Sequence, residues 1–540
     1  MASPQTPSDS FARLCPADLG DALAPRTRAL NGTPLRGGRY VLCWLQQTLR
    51  PRDNPAIDAA IAVGNRMGLP VLVYHGMRED YPYSSWRLHD FLVGASVELQ
   101  KGCRERGLRS VNLVVRPGKE ERGLVYRLAD DAALVVTDDQ PLFVGRWQAN
   151  RFAAKTDAPV WAVDTNRLVP FSLMKSGIRA TRSFREKAKT HRDGPWSEID
   201  DLEPDVGPYR GKLAFASDDL ADLSKAKRLA LIRECRIDHT LLPSAEILPT
   251  RKALDGLLGN LQNVVLPVYA NRRNNPALVG SASFLSPYLH FGMVGPREIY
   301  RIVQETDTTS RNKWKYLDEL LTWREWFHYL AQDRDSVCDW ANIPNWARQT
   351  LEEHAGDARE QLYSLSELLH AQTDDPVWNA AQRQFLLDGY MHNNLRMYWG
   401  KQIIKWTPDP KTAWSTACYI NDRLSYDGRN PATYGNIEWV FGRARPGYRE
   451  IPVYGRVAPK SNTAILKRDG MPDWIETMNA RETIEVSVPN RVPDYAEPET
   501  PLGPYFPMRS GNSRPPATPR TAPAGERSAP KCARACADVG

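Results

Sequence analysis

The stretch Met391–Trp406, MHNNLRMYWGKQIIKW, has the apolar spacing of one amphipathic helix. Arg396, Trp399, Ile403 and Trp406 fall at i, i+3, i+7 and i+10, so an α-helix places them on one face. Two indoles two turns apart, with an arginine below them, are compatible with ordinary core packing. They are equally compatible with a functional track, and the surrounding sequence has to decide between these two interpretations.

The rest of the chain divides into two regions with different hydrophobic patterns. From about 251 to 440, the runs LDELLTWREWFHYLA, DPVWNAAQRQFLLDGY and PKTAWSTACYINDRLS have the 3.6-residue apolar period of helices. Nearer the N-terminus, helical patterns alternate with short Val-rich runs, which predicts a doubly wound parallel sheet. These runs are at 39–45, 70–75, 110–115, 133–138 and 159–164. No G-x-G-x-x-G follows the first run, so a dinucleotide bound there in the usual way is not expected.

A chain of 540 residues is too long for one compact core, so we expect several domains. The α/β domain is predicted at 35–175 and an all-α domain at 251–486. Between them lies a connector at 176–250, which contains a short charged helix after Leu223. The Pro-, Ser- and Ala-rich residues 1–34 and the Pro-rich tail at 487–540 are predicted to be disordered.

The composition excludes several classes of protein. No apolar run approaches the roughly 20 residues of a membrane span, and the N-terminus lacks the pattern of a secretory signal. The eight cysteines are mostly isolated, and Cys532 and Cys536 have no histidine nearby, so neither a metal site nor a disulfide framework is expected. We therefore expect a cytoplasmic protein without a structural metal.

Two further numbers concern possible partners. The formal net charge of +7 permits a polyanionic partner without requiring one. The 16 tryptophans are unusual, and most of them follow residue 310. Indole clusters form protein cores, but they also stack on nucleobases.

A polar turn opens a helix in SASFLSPYLHFGMVGPREIY, residues 281–300. Pro287 suits the first helical turn. Ser283 and Ser286 offer hydroxyls and free backbone N–H groups where phosphates can bind. Plain helix capping explains the same pattern, so the motif alone does not decide.

Two motifs could contact a nucleic acid. RRNNP at 272–276 places two arginines on a loop, where they could contact phosphates, wedge into a duplex, or simply be solvated. YLDELLTWREWF at 316–327 places Glu319 and Trp323 four residues apart on one helix face. The carboxylate and the indole could hydrogen-bond and stack a nucleobase, or they could be an exposed acid beside a core tryptophan.

The run INDRLSYDGRNPATYGNIEWVFG at 420–442 is polar within a region that otherwise has a buried character. Asn421 and Asp427 would need hydrogen-bond partners if they are buried. A cofactor edge or Arg396 could supply them. A structural turn at DGRNP is the alternative.

Taken together, the order and spacing of these motifs are specific. SFLSPYLHFG, DELLTWRE, DPVWNAAQ, MHNNLRMYWGKQIIKW and INDRLSYDGRNPATYGNIEW resemble the photolyase/cryptochrome family, and most closely its class II cyclobutane pyrimidine dimer photolyases. The resemblance covers about 37–460. It implies an α/β domain followed by an all-α domain that holds FAD in a U shape. It also implies light-driven electron transfer to a pyrimidine dimer in UV-damaged DNA.

The resemblance implies roles for individual residues around FAD. The phosphate side would be contacted by Tyr269, Ser283, Phe284, Leu285 and Ser286. Arg396 and Asp427 would form an ion pair under the isoalloxazine, and Asn421 would face flavin N5. Because a neutral amide can donate or accept a hydrogen bond, Asn421 suits more than one redox state of N5 and favours repair over signalling.

On the substrate side, the resemblance implies that Glu319 hydrogen-bonds the dimer and that Trp323 and Trp439 wall its cavity. Arg273 would fill the hole that the flipped lesion leaves in the duplex. Electrons would reach the flavin along tryptophans, with Trp399 and Trp406 as consecutive steps. Trp378 would lie beside this track, and Tyr363 near it.

Four hypotheses follow for the function. The first is a photolyase that repairs cyclobutane dimers, expected to be a monomer associated with the nucleoid. The second is a cryptochrome-like photoreceptor without repair activity, whose output passes through a partner. A (6-4) photolyase and a non-catalytic DNA-binding protein are the others, and the intact set of Asn421, Arg396 and Asp427 argues against the last. The α/β domain could hold a deazaflavin or folate antenna, or none.

Overall fold

The N-terminal half of the chain contains the predicted sheet. In the computed structural model, which describes residues 13–119, 123–213, 215–334, 338–493 and 495, this sheet has six strands. They are β1 (Thr27–Ala29), β2 (Tyr40–Trp44), β3 (Val71–Met77), β4 (Arg109–Val114), β5 (Ala132–Asp138) and β6 (Val160–Val163). The order is β1-β6-β5-β2-β3-β4, and β2 to β6 are parallel. The parallel part of the sheet starts with β2 in the middle, and the later strands are added on both sides of it, which confirms the doubly wound fold.

Helices cover both faces of the sheet because successive strand residues point to opposite sides. Val41 and Cys43 pack in one cluster with α1 (Pro55–Met67) and α2 (Trp86–Glu105). Leu42 packs in another cluster with α3 (Leu124–Asp130) and α4 (Phe143–Ala153). Burial on both faces explains why the strands are continuous apolar runs instead of alternating ones.

The predicted disorder of residues 1–34 is wrong for the part that the structure describes; residues 1–12 lie outside it. β1 pairs antiparallel with β6 at the sheet edge. The preceding residue, Arg26, is 3% exposed, and its guanidinium donates to the backbone carbonyls of Asp164, Arg167, Leu168 and Trp196. These carbonyls are more than 130 residues away, so composition could not reveal that they order this segment.

The described part of the connector, which leaves out residue 214, contains two α-helices and a short 3-10 helix at Pro195–Ser197. The expected charged helix after Leu223 is α6 (Lys225–Glu234). The other, α5 (Thr181–Lys189), was not anticipated. It buries Phe184 and Ala188 in one cluster with Trp326 and Tyr329 of the helical half.

The remainder is helical, as predicted for residues 251 to 440. The helices are α7 (Arg251–Asn260), α8 (Tyr269–Arg272), α9 (Ser286–His290), α10 (Pro296–Glu305), α11 (Ser310–Leu317), α12 (Glu325–Gln332), α13 (Asn345–Glu353), α14 (Leu365–Leu369), α15 (Pro376–Asp388), α16 (Asn393–Trp406), α17 (Pro410–Leu424), α18 (Pro431–Val440), α19 (Thr463–Leu466) and α20 (Met471–Asn479). The segment Asp318–Arg324 between α11 and α12 is π-helical. Within the described residues, none of the helices combines the length and the apolar character needed to cross a bilayer.

The start of the predicted disordered tail is also ordered, while residues 494 and 496–540 lie outside the described residues. Tyr495 is 4% exposed, and its hydroxyl donates to Asp422 on α17. Arg423 donates to the backbone carbonyl and to the hydroxyl oxygen of Ser487. A Pro-rich composition predicted disorder here, but buried partners on α17 hold these residues in place.

Candidate functional site

Arg396 forms the expected ion pair with Asp427. Arg396 lies on α16, and Asp427 lies in the loop after α17; both guanidinium Nη atoms are 3.4 Å from Asp427 Oδ1. Burial alone would raise the pKa of Asp427. The charge of Arg396 and hydrogen bonds from Ser425 and Ser286 outweigh it and hold this pKa below its usual value. The site therefore contains a fixed carboxylate and a fixed guanidinium.

Asn421 lies near this ion pair in sequence and in space. It is on the last turns of α17 and fully buried, and its backbone carbonyl is 3.1 Å from the position that a Cβ on Gly428 would take. Neither its amide nitrogen nor its amide oxygen has a hydrogen-bond partner among the described residues, and the same holds for Nε of Arg396. Buried amides are rarely left unsatisfied, because each lost hydrogen bond costs about 1–3 kcal/mol. The arrangement suits a ligand with a polar edge.

Residues predicted for the phosphate side cluster at α8 and α9. The ring of Tyr269 lies 5.0 Å from that of Tyr316, whose hydroxyl donates to Ser283 Oγ at 3.0 Å. Phe284 has a φ of 55° and is 41% exposed, with its ring 4.7 Å from that of Tyr390. A bulky residue in the left-handed region is strained, and such strain is concentrated at functional sites.

The turn into α9 continues this cluster. Leu285 is buried at 1% exposure, and Ser286 begins the helix with its side chain hydrogen-bonded to Asp427. The phosphate-side residues and the Arg396–Asp427 pair are therefore parts of one site.

The acid expected to bind the dimer is held by two cations. Glu319 forms ion pairs with Arg273 and with Lys315, whose Nζ is 3.1 Å from the carboxylate. Its neighbour Asp318 accepts hydrogen bonds from Arg185 of α5. The predicted loop arginine and the predicted acid thus touch each other, although they are far apart in sequence.

Glu319 and Trp323 share the π-helical segment instead of an α-helix. The ring of Trp323 packs against those of Trp326 and Phe327, with centroids 6.1 and 6.3 Å apart. Trp439 on α18 has the guanidinium of Arg445 4.5 Å from its ring centroid. Among the described residues, no ring contact joins Trp323 to Trp439.

The predicted tryptophans form one connected series. The rings of Trp399 and Trp378 are stacked, with 6.3 Å between centroids and 7° between planes. Trp378 also contacts Trp406 at 5.4 Å, and Trp406 contacts Tyr363 at 5.1 Å. The order is therefore Trp399, Trp378, Trp406, Tyr363. It differs from the expected one, because Trp378 lies between the two indoles of α16 and not beside them.

Comparisons with known proteins identify the family of the chain. The family model for DNA photolyase matches residues 41–204. A deoxyribodipyrimidine photo-lyase of Methanothermobacter thermautotrophicus is 31% identical over 456 residues, which cover 84% of this chain and 98% of the relative. The chain belongs to the DNA photolyase family. A deoxyribodipyrimidine photo-lyase of Arabidopsis thaliana is 29% identical over 77% of this chain and 84% of that relative.

Solved structures show that the photolyase fold extends over both halves of the chain. A class III photolyase from Agrobacterium tumefaciens superposes with a TM-score of 0.59 at 20% identity, covering 83% of this chain and 87% of that one. A cryptochrome of Synechocystis gives 0.56 at 16% identity, covering 82% and 89%. At these identities the likeness concerns the fold, which photolyases and cryptochromes share.

Some residues of this photolyase site were not singled out from the sequence. Lys315 was missed, although it lies four residues before Glu319, the spacing of a helical ion pair. His290 is 5% exposed, and its Nδ1 lies 3.1 Å from the amide nitrogens of both Asn430 and Gln47. Burial lowers its pKa to about 3, so the imidazole is neutral. Only its place in the quoted run SFLSPYLHFG pointed to it.

Proposed function

We propose that this protein is a deoxyribodipyrimidine photo-lyase that binds FAD and uses light to split cyclobutane pyrimidine dimers in UV-damaged DNA. The observation that carries this proposal is the fully buried Asn421, whose side-chain amide has no partner among the described residues and whose backbone carbonyl lies against Gly428, the residue after Asp427. Relatives that span most of the chain carry the same activity in their names.

The residues present fit FAD. The amide of Asn421 would hydrogen-bond the polar edge of the isoalloxazine, and the Arg396–Asp427 pair would hold a fixed dipole beside it. Ser283 and Ser286 would lie on the phosphate side. When bound and reduced, FAD supplies the light-excited electron that opens the dimer. The protein contributes position, electrostatics and the exclusion of water.

For the substrate, we propose that Arg273 changes partners. In this structure it is paired with Glu319, so the acid is not free to bind a dimer. Extruding a lesion leaves a hole in the duplex, and an arginine that moves into this hole would leave the carboxylate paired with Lys315 alone. Glu319 could then hydrogen-bond the dimer between Trp323 and Trp439. Base flipping and exposure of the acid would be coupled through one side chain.

The series Trp399, Trp378, Trp406 and Tyr363 would carry electrons from the surface to the flavin site. Burial falls along it: Trp399 and Trp378 are at most 1% exposed, whereas Trp406 is 6% exposed and Tyr363 is partly exposed. The outermost residue is therefore the one that a reductant in solution can reach. We further propose that the protein acts as a monomer on nucleoid DNA.

The test is light-driven repair by the purified protein. FAD-loaded protein is reduced, mixed with a duplex that contains one cyclobutane dimer, and illuminated with blue light, while a dark sample and Glu319→Ala serve as controls. We expect the dimers to be lost in the light only, and more slowly with the variant. An unchanged dimer content with FAD bound and reduced would overturn the proposal and favour a photoreceptor.

A further inference from the structure

A cavity of about 200 Å³ adjoins Trp439 in the helical half of the chain. Two indoles, Trp346 and Trp439, line it together with three cations, Lys401, Arg445 and Lys460. None of the residues that line it is acidic. A pocket with aromatic walls and an excess of positive charge has the composition of a nucleotide site.

The three cations are not neutralised by the protein. Lys401 is 4% exposed, and its ammonium donates to the Val440 carbonyl at the end of α18. Lys460 donates to the Asn394 carbonyl at 3.1 Å, and Arg445 lies over Trp439. Among the described residues, none of the three forms an ion pair with a carboxylate. Lys401 is buried, Lys460 is partly exposed and Arg445 is exposed, so a missing anion is most costly for Lys401, because burial removes water that would otherwise solvate its charge.

Burial and the mutual repulsion of these cations both lower the pKa values of the two lysines. Burial, Arg445 and Lys460 lower the pKa of Lys401 to about 7. Burial, Arg468 and Arg445 lower that of Lys460 to about 8. A bound anion would reverse the electrostatic part of both changes.

The pocket is continuous with the proposed lesion site at two points. Trp439 belongs to both. On the other side, Asn394 accepts hydrogen bonds from Lys460 and from Arg468, and Arg468 also donates to the carbonyl of Asn274, the neighbour of Arg273. A band of cations therefore leads from the pocket to the arginine that we expect to enter the duplex.

We propose that this pocket binds one backbone phosphate of the DNA strand that carries the dimer, with the base next to that phosphate packed against Trp346. The proposal rests on the proposed function, because it takes Trp439 as a wall of the dimer cavity. Phosphate contacts fix the register of a protein on DNA without reading sequence. One phosphate bound beside Trp439 would fix the position of the dimer-containing strand relative to the dimer cavity when the dimer is extruded.

The experiment combines a protein substitution with a chemical one. Binding of dimer-containing oligonucleotides to the FAD-loaded protein is measured in the dark, with each phosphate near the dimer replaced in turn by an uncharged methylphosphonate. For the wild type, we expect one position to lower affinity by about tenfold, as for the loss of a charge-assisted hydrogen bond. Lys460→Gln should weaken the unmodified oligonucleotide by a similar factor and show no further loss at that position.

Salt dependence gives a second measure. Lys460→Gln and Arg445→Gln should each lower the slope of log affinity against log salt by about 0.7–0.9, the value for one phosphate contact. Lys467→Gln is the matched control, since Lys467 is exposed on the same stretch and does not line the pocket. Its slope should equal that of the wild type. Thermal unfolding verifies that all three variants are folded.

Several outcomes would overturn the proposal. One is that the affinity losses from Lys460→Gln and from the methylphosphonate multiply at every phosphate position tested. Another is that Lys467→Gln lowers the salt slope as much as Lys460→Gln does. Inorganic phosphate could also raise the melting temperature through Lys460 while no DNA phosphate is coupled to it, which would assign the pocket to a free anion. Dimer splitting is assayed separately on the same samples, so failure of the photolyase proposal is distinguished from failure of this one.

Discussion

Helix α16 contributes residues to two regions: the tryptophan series and the flavin side, which consists of Asn421, Arg396 and Asp427. The two regions differ in whether their buried polar atoms have hydrogen-bond partners. In the series, the indole N–H of Trp378 donates to the Trp399 carbonyl at 3.0 Å, and that of Trp399 donates to Gln382 at 2.8 Å. On the flavin side, Asn421 and Nε of Arg396 have no partners among the described residues. The protein alone completes one region, whereas the other needs a ligand.

Packing and conduction are not alternatives for Trp399 and Trp406, because close packing is what fixes the separation of the rings. The hydrogen-bonded indoles form the finished region, in which the protein itself pairs the indole N–H groups of Trp378 and Trp399. Their neighbour Arg396, on the same face of α16, belongs to the flavin side, which is the unfinished region because it needs a ligand.

The strongest test of the unfinished region is Asp427→Asn, which leaves Arg396 buried without a counter-charge. Breaking a buried ion pair in this way costs about 3–5 kcal/mol, and we expect FAD affinity to fall by at least about a hundredfold. The ratio of flavin to protein absorbance after gel filtration measures it. Asp388→Asn breaks the Arg481–Asp388 pair outside the site and serves as control. Full FAD occupancy in Asp427→Asn would contradict the role of this pair.

The finished region is tested by Trp378→Phe, which keeps an aromatic ring but removes the indole between Trp399 and Trp406. We expect flavin photoreduction to slow by about a hundredfold, equivalent to about 2.7 kcal/mol in the barrier. Dimer splitting by chemically reduced protein should remain. Trp414→Phe is the matched control, since Trp414 is equally buried and contacts Trp340 and Phe441 instead. Equal photoreduction in the two variants would remove Trp378 from the track.

These two tests also separate what the sequence could predict from what it could not. The Val-rich runs predict β2 to β6 because both faces of a parallel sheet are buried, and the apolar period predicts α16. The position of Trp378 between two rings of another helix depends on how α15 packs on α16. Periodicity within one helix contains no such information.

Long-range polar contacts explain the other differences. β1 is ordered because Arg26 binds carbonyls from the segment Asp164–Trp196, and α5 is fixed by Phe184 against the helical half. The pairing of Arg273 with Glu319 joins two motifs that the sequence presents separately. The resemblance identified both residues by role, but it gave no indication that they hold each other in this structure.

A smaller effect is expected for Arg273→Ala, which removes the proposed plug and leaves Glu319 paired with Lys315 alone. The preference for dimer-containing over undamaged duplex should fall by about tenfold, or about 1.4 kcal/mol. Binding of a dimer in single-stranded DNA should be unchanged or tighter, because there is no hole to fill and Arg273 no longer competes with the dimer for the acid. Arg272→Ala, on the neighbouring arginine, is the control. Equal losses on single and double strands would contradict the exchange of partners.

The smallest effect concerns pH and the neutral imidazole of His290 beside the flavin side. Its pKa in the folded protein is about 3, so between pH 6.5 and 3 the unfolded chain binds a proton that the folded protein does not. Stability from this group is therefore complete above pH 6.5 and decreases as the pH falls. His290→Gln should reduce the loss of unfolding free energy between pH 6.5 and 5.5 by roughly 1 kcal/mol.

Urea unfolding at the two pH values measures this difference, and His354 provides a control of opposite sign. Hydrogen bonds from His354 to Asp357 and Glu450 raise its pKa, so its contribution is complete at low pH and decreases as the pH rises. His354→Gln should therefore leave the acid side of the profile as steep as in the wild type, or steeper. If His290→Gln and the wild type lost stability in parallel on acidification, His290 would not be held neutral in the folded protein. Water would then reach the polar groups around the flavin side more easily than the buried, unpartnered side-chain atoms of Asn421 and Arg396 indicate.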